Sequence, residues 1–154
     1  MITIPNYGTL ALKHVVLDYN GTVARDGILL EPVRRLLTQL TQHYTVHIIT
    51  ADTFGSVQRE VEAFDVAVKI LTSDDHTEEK ADFVRKLGAT HTVAMGNGNN
   101  DALMLRTAEL SIAILGDEGC SMQTLQEADL VCKSIGDALE LLLYPKRLIA
   151  TLRR

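Results

Sequence analysis

The feature that most restricts the fold of this chain is a series of short apolar runs that alternate with amphipathic segments. Each run is too short for a core helix but long enough for a buried strand. The six runs are His14–Asp18, Val46–Thr50, Val66–Leu71, Thr92–Met95, Leu110–Leu115 and Leu130–Cys132. Strands that alternate with helices form a mostly parallel sheet with helices on both faces. We therefore expect an α/β fold with a doubly wound, three-layer Rossmann-like sheet.

The segments between these runs carry helix signals. In Glu31–His43 the apolar side chains recur at helical spacing, and Pro32 is tolerated in the first turn. Thr77 can cap a helix that Gly88 ends. The other helices are predicted at Phe54–Phe64, Thr77–Leu87, Ala102–Ala108, Met122–Glu127 and Ile135–Leu143.

Both ends of the chain lie outside this alternation. Ile2–Ile4 and Thr9–Leu12 flank a turn-like Asn-Tyr-Gly sequence, so an N-terminal β-hairpin is expected. The last residues, from Tyr144 to Arg154, form an apolar-basic tail that packs on the domain or reaches a neighbouring subunit.

Composition favours a single-domain protein and argues against several other classes of protein. The 154 residues are 46% hydrophobic, which suits one domain over 1–154 with its own core. The formal net charge of -5 argues against nucleic-acid or membrane-surface binding. No apolar run approaches the roughly 18–20 residues that cross a bilayer. The N-terminus does not resemble a signal peptide, and Cys120 and Cys132 lack metal-type spacing, so a cytoplasmic location is expected.

Polar residues follow several predicted strands. Asp18 and Thr50 each end a strand, Lys80 lies in the first turn of the helix after the third strand, and Asp101 ends a Gly-Asn-rich loop after the fourth. In such sheets, ligands bind beyond the carboxyl ends of the strands, where the strand order reverses. Each residue alone is common in α/β domains, but their order and spacing together are specific.

These residue types suit phosphoryl transfer. A carboxylate can attack phosphorus and form an aspartyl-phosphate. A hydroxyl and an ammonium group can hold phosphoryl oxygens where charge is spread in the transition state. Mg²⁺ prefers carboxylate oxygens, a backbone carbonyl and several waters.

The same residues resemble the motifs of the haloacid dehalogenase (HAD) superfamily. Asp18-Tyr-Asn-Gly-Thr22 looks like its first motif, Thr50 matches the second, Lys80 the third, and Gly96–Asp101 the fourth. The likeness spans almost the whole chain. The fourth motif is especially similar to that of P-type ATPases, so the best match is to small soluble P-type-ATPase-like HAD hydrolases.

The resemblance implies roles for individual residues. Asp18 would be the nucleophile and a Mg²⁺ ligand, with the backbone carbonyl of Asn20 as a second ligand. The side chains implied as further metal ligands are those of Asp101 and Asn97. The residues implied in holding the phosphoryl group are Thr50, Ala51, Lys80 and Gly21. The segment from Val23 to Leu30, with Gly27 at its turn, resembles the flap hairpin that follows the nucleophile.

Two positions depart from the superfamily pattern. Asn20 stands where phosphatases carry a second Asp that protonates the leaving group, and an amide cannot exchange protons in that way. Asn97 replaces the first Asp of the fourth motif, so weaker Mg²⁺ binding is expected. Hydrolysis should therefore be slow, unless Asp26 or Asp52 carries the proton. A catalytically weak or inactive regulatory or binding protein is the alternative.

The spacing of the motifs leaves no room for a cap domain. Only the flap and ordinary core elements fit between Asp18 and Thr50, and only core elements fit between Thr50 and Lys80. The site should therefore be open. An open site admits a phosphorylated small molecule or a phosphoprotein, or is covered by another subunit of a homo-oligomer.

Overall fold

The computed structural model describes residues 1–52 and 55–154. Within these residues the chain forms strands and helices in alternation. The strands are β1 (Ile2–Ile4), β2 (Gly8–Leu10), β3 (His14–Asp18), β4 (Ala24–Arg25), β5 (Ile28–Leu29), β6 (Thr45–Thr50), β7 (Val66–Ile70), β8 (Thr92–Gly96), β9 (Leu110–Ile114) and β10 (Leu130–Cys132). The helices are α1 (Glu31–Thr41), α2 (Ser56–Val61), α3 (His76–Leu87), α4 (Ala102–Thr107), α5 (Met122–Glu127), α6 (Ile135–Leu143) and α7 (Pro145–Leu152).

Six strands form one parallel sheet in the order β10-β9-β8-β3-β6-β7. Strand β3 is central, and its Val16 lies opposite His47 of β6 on one side and Ala94 of β8 on the other. Two separate antiparallel pairs, β1-β2 and β4-β5, flank this sheet. The predicted α/β fold and N-terminal hairpin are thus confirmed.

Helices cover both faces of the sheet. Side chains of β3 alternate between the two faces, so Val15 and Leu17 join one buried cluster and Val16 joins the other. The first cluster includes Leu37 of α1 and Leu139 of α6, and the second includes Met104 of α4. The central strand is therefore buried on both sides, which explains why its sequence is almost continuously apolar.

The chain order reverses between β3 and β8. From β3 the chain proceeds outward through β6 and β7, then returns to the other side of β3 as β8 and continues outward through β9 and β10. This switch point places the carboxyl ends of β3 and β8 side by side, with Asp18 at the end of one and Gly96 at the end of the other. It opens the crevice in which such sheets bind ligands.

Most predicted elements have bounds within a few residues of those observed. The flap hairpin is present as β4 and β5, turning through Asp26 and Gly27. The C-terminal tail was not predicted as a helix, yet it forms α7, whose Leu148 and Leu152 are buried. The predicted start of the second helix, at Phe54, lies outside the described residues.

The prediction that Thr77 caps α3 is wrong. The N-cap is Asp75, whose side chain accepts a hydrogen bond from the backbone N–H of Glu78 at 3.1 Å. The helix therefore begins at His76, and Lys80 lies in its second turn and not in the first, as predicted from a start at Thr77. Gly88 ends the helix as predicted, with a φ of 106°.

The described elements leave the carboxyl edge of the sheet open. Between β3 and β6 the chain forms only the β4-β5 hairpin and α1. Among the residues that the structure describes, no helix combines the length and apolar character needed to span a bilayer.

Because Asp75 caps α3, Asp75→Ala should lower the free energy of unfolding by about 1 kcal/mol. Thr77→Ala is the matched control, since it shortens a side chain in the same turn without removing the cap. Urea unfolding of both variants measures the difference. A larger loss for Thr77→Ala than for Asp75→Ala would contradict the assignment.

Candidate active site

An open cleft of about 1020 Å³ lies over the carboxyl ends of the central strands. It brings together most of the residues that the sequence singled out: Asp18, Asn20, Thr50, Ala51, Lys80 and Asn97. Gly21 lies beside it, lining an adjoining groove. Asp101 does not line the cleft but lies fully buried beneath it.

Lys80 holds the base of the cleft together. Its ammonium group donates to Asp18 Oδ1 at 2.9 Å, to Asp101 Oδ1 at 2.8 Å and to Asn100 Oδ1 at 3.0 Å. All three donors of the ammonium are therefore used, although its side chain is only 3% exposed. The sequence analysis did not single out Asn100 as a site residue. The feature that could have identified it is its position in the Gly-Asn-rich loop.

Burial sets the protonation of this cluster. Burial and the neighbouring carboxylate of Asp101 raise the pKa of Asp18 to about 7, although Lys80 and the Thr22 hydrogen bond favour its charged form. Burial alone would lower the pKa of Lys80, but the carboxylates of Asp18 and Asp101 outweigh it and raise that pKa. Lys80 thus remains a cation.

Asp101 connects the lysine to the loop after β8. Its second oxygen accepts hydrogen bonds from the backbone N–H groups of Asn97 and Gly98, both at 3.0 Å. Gly96 permits this arrangement, because a Cβ there would lie 2.5 Å from Asp101 Cγ and 2.8 Å from its Cβ. The carboxylate thus fixes the loop and Lys80 at the same time.

Thr22 and Asn97 complete the surroundings of Asp18. The Thr22 hydroxyl lies 3.2 Å from Asp18 Oδ2 and 3.3 Å from Asn97 Oδ1, within donating distance of both. Asn97 Nδ2 donates to the carbonyl of Gly119 at 3.0 Å. This hydrogen bond orients the amide so that its oxygen lies on the Asp18 side.

The side chain of Asn20 fastens the flap. Its Oδ1 accepts from the backbone N–H of Gly27 at 2.8 Å, and the Tyr19 hydroxyl donates to the Gly27 carbonyl at 2.8 Å. Asp26 and Gly27 have φ values of 51° and 84°, as a tight hairpin turn requires. Both backbone groups of Gly27 are therefore tied to the loop that follows Asp18.

The opposite wall is formed by the end of β6. Thr50 Oγ1 accepts from the backbone N–H of Asp52 at 3.2 Å. The Asp52 carboxylate accepts from the Ser56 hydroxyl at 2.5 Å and from the Val57 N–H at 3.1 Å. Asp52 is thus engaged at the start of α2, and both Asp52 and Asp26, which lies at the flap turn, line the cleft.

The donor set can accommodate Mg²⁺, though with few charged ligands. In the described part of the chain, no three His, Cys, Asp or Glu side chains cluster as a metal site. The oxygen atoms beside the cleft include the Asp18 carboxylate, the Asn97 amide oxygen and the Asn20 carbonyl, which accepts no hydrogen bond from the described residues. Mg²⁺ accepts such oxygens and keeps several waters, so these residues fit the ion.

Comparisons with curated proteins give two partial relatives, and no protein-family model matches. The chain is 52% identical over 61 residues to an uncharacterized protein of Methanocaldococcus jannaschii, covering 40% of this chain and 66% of that protein. It is 26% identical over 123 residues to a soluble P-type ATPase-like phosphatase of the same organism, covering 78% of this chain and 45% of that protein. The matches thus span from under half to about two thirds of these relatives.

Solved structures resemble the chain over nearly its full length. A 3-deoxy-D-manno-octulosonate 8-phosphate phosphatase from Moraxella catarrhalis, in complex with a magnesium ion, a phosphate ion and a KDO molecule, has a TM-score of 0.73 at 20% identity, covering 93% of this chain and 94% of that one. The cobalt-bound deoxy-D-mannose-octulosonate 8-phosphate phosphatase from Haemophilus influenzae has a TM-score of 0.69 at 13% identity, covering 88% of this chain and 91% of that one. These neighbours are HAD superfamily phosphatases, so the chain has the HAD fold.

Gly96→Ala should disrupt the site, because the added Cβ overlaps Asp101 and displaces the carboxylate that holds Lys80. We expect a loss of about 1–3 kcal/mol in the free energy of unfolding. Gly98→Ala is the matched control, since a Cβ there meets its nearest atom at an ordinary 3.7 Å. Denaturant unfolding of both variants tests this, and equal stabilities would count against the packing argument.

Proposed function

We propose that this chain, which has the HAD fold, is a Mg²⁺-dependent phosphatase or phosphotransferase that works through an aspartyl-phosphate at Asp18. The observation that carries the proposal is the placement of Asp18 at the switch point of the sheet, hydrogen-bonded to the buried Lys80 and open to the cleft. A carboxylate so placed can reach a phosphoryl group bound above it.

The reaction proceeds in two displacements. An Asp18 carboxylate oxygen attacks phosphorus, a P–O bond forms, and the bond between phosphorus and the leaving oxygen breaks with its electron pair. Water or another hydroxyl acceptor then attacks phosphorus and gives up a proton to solvent, while the bond between phosphorus and the Asp18 oxygen breaks and restores the carboxylate. Thr50 and the backbone of Ala51 hold the phosphoryl oxygens, and the Lys80 cation, whose three hydrogens are donated to protein oxygens, attracts them through its charge. The N–H of Gly21 donates to the Ala24 carbonyl, so Gly21 provides no free donor to the phosphoryl group.

Mg²⁺ would be held by the Asp18 carboxylate, the Asn20 backbone carbonyl and the Asn97 amide oxygen. When bound, the ion neutralises charge that develops on the phosphoryl oxygens. Asp101 is better placed to position than to ligate, since one of its oxygens is taken by Lys80 and the other by two backbone N–H groups. We therefore assign it the role of fixing Lys80 and the loop.

Asn20 limits the substrates. Its amide cannot supply a proton to the leaving oxygen, and its Oδ1 is occupied by the flap. Leaving groups that depart as stable anions, such as phenolates and carboxylates, need no such proton. The site therefore favours aryl and acyl phosphates, and a phosphorylated small molecule is a natural substrate for an open cleft of this size. The phosphatases with the same fold include enzymes named for a sugar-acid phosphate.

A second candidate function is regulation through phosphate binding without turnover. The amides at Asn20 and Asn97 support it, because each has a structural partner. Asn20 accepts a hydrogen bond from Gly27 of the flap, and Asn97 donates one to the Gly119 carbonyl. In that case the cleft binds a phosphorylated partner and releases it unchanged.

Asp18→Asn should abolish Mg²⁺-dependent hydrolysis of 4-nitrophenyl phosphate and acetyl phosphate, because the amide is not a nucleophile. Release of nitrophenol and phosphate measures the rate, and acid-quenched protein is tested for the phosphorylated Asp18. Full activity in the variant would refute the nucleophile assignment. No activity in the wild-type chain would favour the regulatory function.

Asn20→Asp should raise the hydrolysis of alkyl phosphates relative to aryl phosphates, because it restores a group that exchanges protons. General acid–base catalysis typically contributes about 10²–10⁴-fold, which sets the scale of the gain. The ratio of kcat/KM for glycerol phosphate and 4-nitrophenyl phosphate measures it. Asp26→Asn serves as the comparison; if it removes wild-type activity on alkyl phosphates, Asp26 is the proton carrier instead.

A further inference from the structure

The loop between β9 and α5 brings a carboxylate to the edge of the cleft. This loop turns at Gly116 and Gly119, with the Gly119 N–H donating to the Gly116 carbonyl at 2.9 Å. Glu118 lies within the turn and lines the cleft. Its side chain was not singled out by any sequence motif.

The loop is docked on two residues that border the nucleophile, Gly21 and Asn97. Asn97 Nδ2 donates to the Gly119 carbonyl, and the Asn97 carbonyl accepts from the Ser121 N–H at 2.8 Å. Gly116 approaches Gly21 so closely that a Cβ on Gly116 would lie 2.9 Å from the Gly21 carbonyl oxygen. The loop is therefore held against the site from both sides.

The Glu118 carboxylate lies next to Gly21 and on the Asn97 side. A Cβ on Gly21 would meet Glu118 Oε1 at 2.8 Å and Asn97 Nδ2 at 3.0 Å. The Glu118 carboxylate and the Asn97 amide group therefore both lie against the position that a side chain at residue 21 would occupy. The absence of a side chain at Gly21 leaves this space to Glu118.

Glu118 is not committed elsewhere in the described part of the chain, where it makes no ion pair and no side-chain hydrogen bond. Its neighbour Asp117 differs, because it pairs with Arg25 of the flap at 3.4 Å and does not line the cleft. The two adjacent acids thus face different surroundings.

The donor set around Asp18 lacks charge, since Asn97 contributes an amide oxygen and Asn20 a carbonyl. Divalent Mg²⁺ prefers carboxylate oxygens. We propose that Glu118 is the second carboxylate facing the divalent cation, supplying from the β9–α5 loop the negative charge that Asn97 lacks. This inference rests on the proposed function, because it assumes that Mg²⁺ binds beside Asp18.

The test is Mg²⁺ binding, measured by isothermal titration calorimetry on the metal-free full chain. Glu118→Gln should weaken the affinity for Mg²⁺ by about 10- to 100-fold, the range found when groups supporting a metal site are removed. Asp117→Asn is the matched control, since it removes the same charge from the same turn, and should leave the affinity within about twofold of wild type.

Thermal unfolding of the metal-free variants separates a metal role from a structural one. The exposed Glu118 side chain has no ion pair or hydrogen bond to lose among the described residues, so Glu118→Gln should unfold at the same temperature as the wild-type chain. An unchanged Mg²⁺ affinity in Glu118→Gln, or an equal loss in both variants, would overturn the inference while leaving the proposed function intact. A wild-type chain that binds no Mg²⁺ would refute both.

Discussion

The buried ammonium group of Lys80 is the interaction on which the site depends. An unpaired charge in this position would be strongly unfavourable, and removing one partner of a buried ion pair typically costs about 3–5 kcal/mol. Here three oxygens, from Asp18, Asp101 and Asn100, satisfy the ammonium. The pairing therefore couples stability to function: the carboxylate positioned for attack is also one that keeps the lysine buried.

The sheet makes this pairing possible. Asp18 ends the central strand, Lys80 comes from a helix after the outermost strand on one side, and Asp101 follows the strand on the other side. Only the reversal of strand order between β3 and β8 brings both flanking segments over Asp18. The glycine at position 96 then allows Asp101 to lie under the lysine without a steric conflict.

The two amides that replace expected carboxylates have structural tasks. Asn20 accepts a hydrogen bond from the flap, and Asn97 donates one to the Gly119 carbonyl. A carboxylate at position 97 could not donate in this way, because an ionised Asp has no hydrogen to give. At position 97 the chain thus exchanges charge at the cleft for a fixed orientation of the loop that carries Glu118.

The sequence by itself determined the class of fold and the order in which the site residues follow one another along the chain. Apolar runs of strand length and helical periodicity are local patterns, so they predicted the six sheet strands and most helices, and the motif spacing placed Asp18, Thr50 and Lys80 at one edge. The sequence misplaced the cap of α3 and did not identify α7, because a side-chain hydrogen bond and the burial of Leu148 and Leu152 decide them.

Tertiary structure alone decided what the polar side chains contact. The position of Asp101 beneath Lys80, the tie between Asn20 and Gly27, and the approach of Glu118 to Gly21 join residues from different elements. No local pattern encodes such contacts, because they arise only when the sheet register and the docking of loops fix distances between segments remote in sequence.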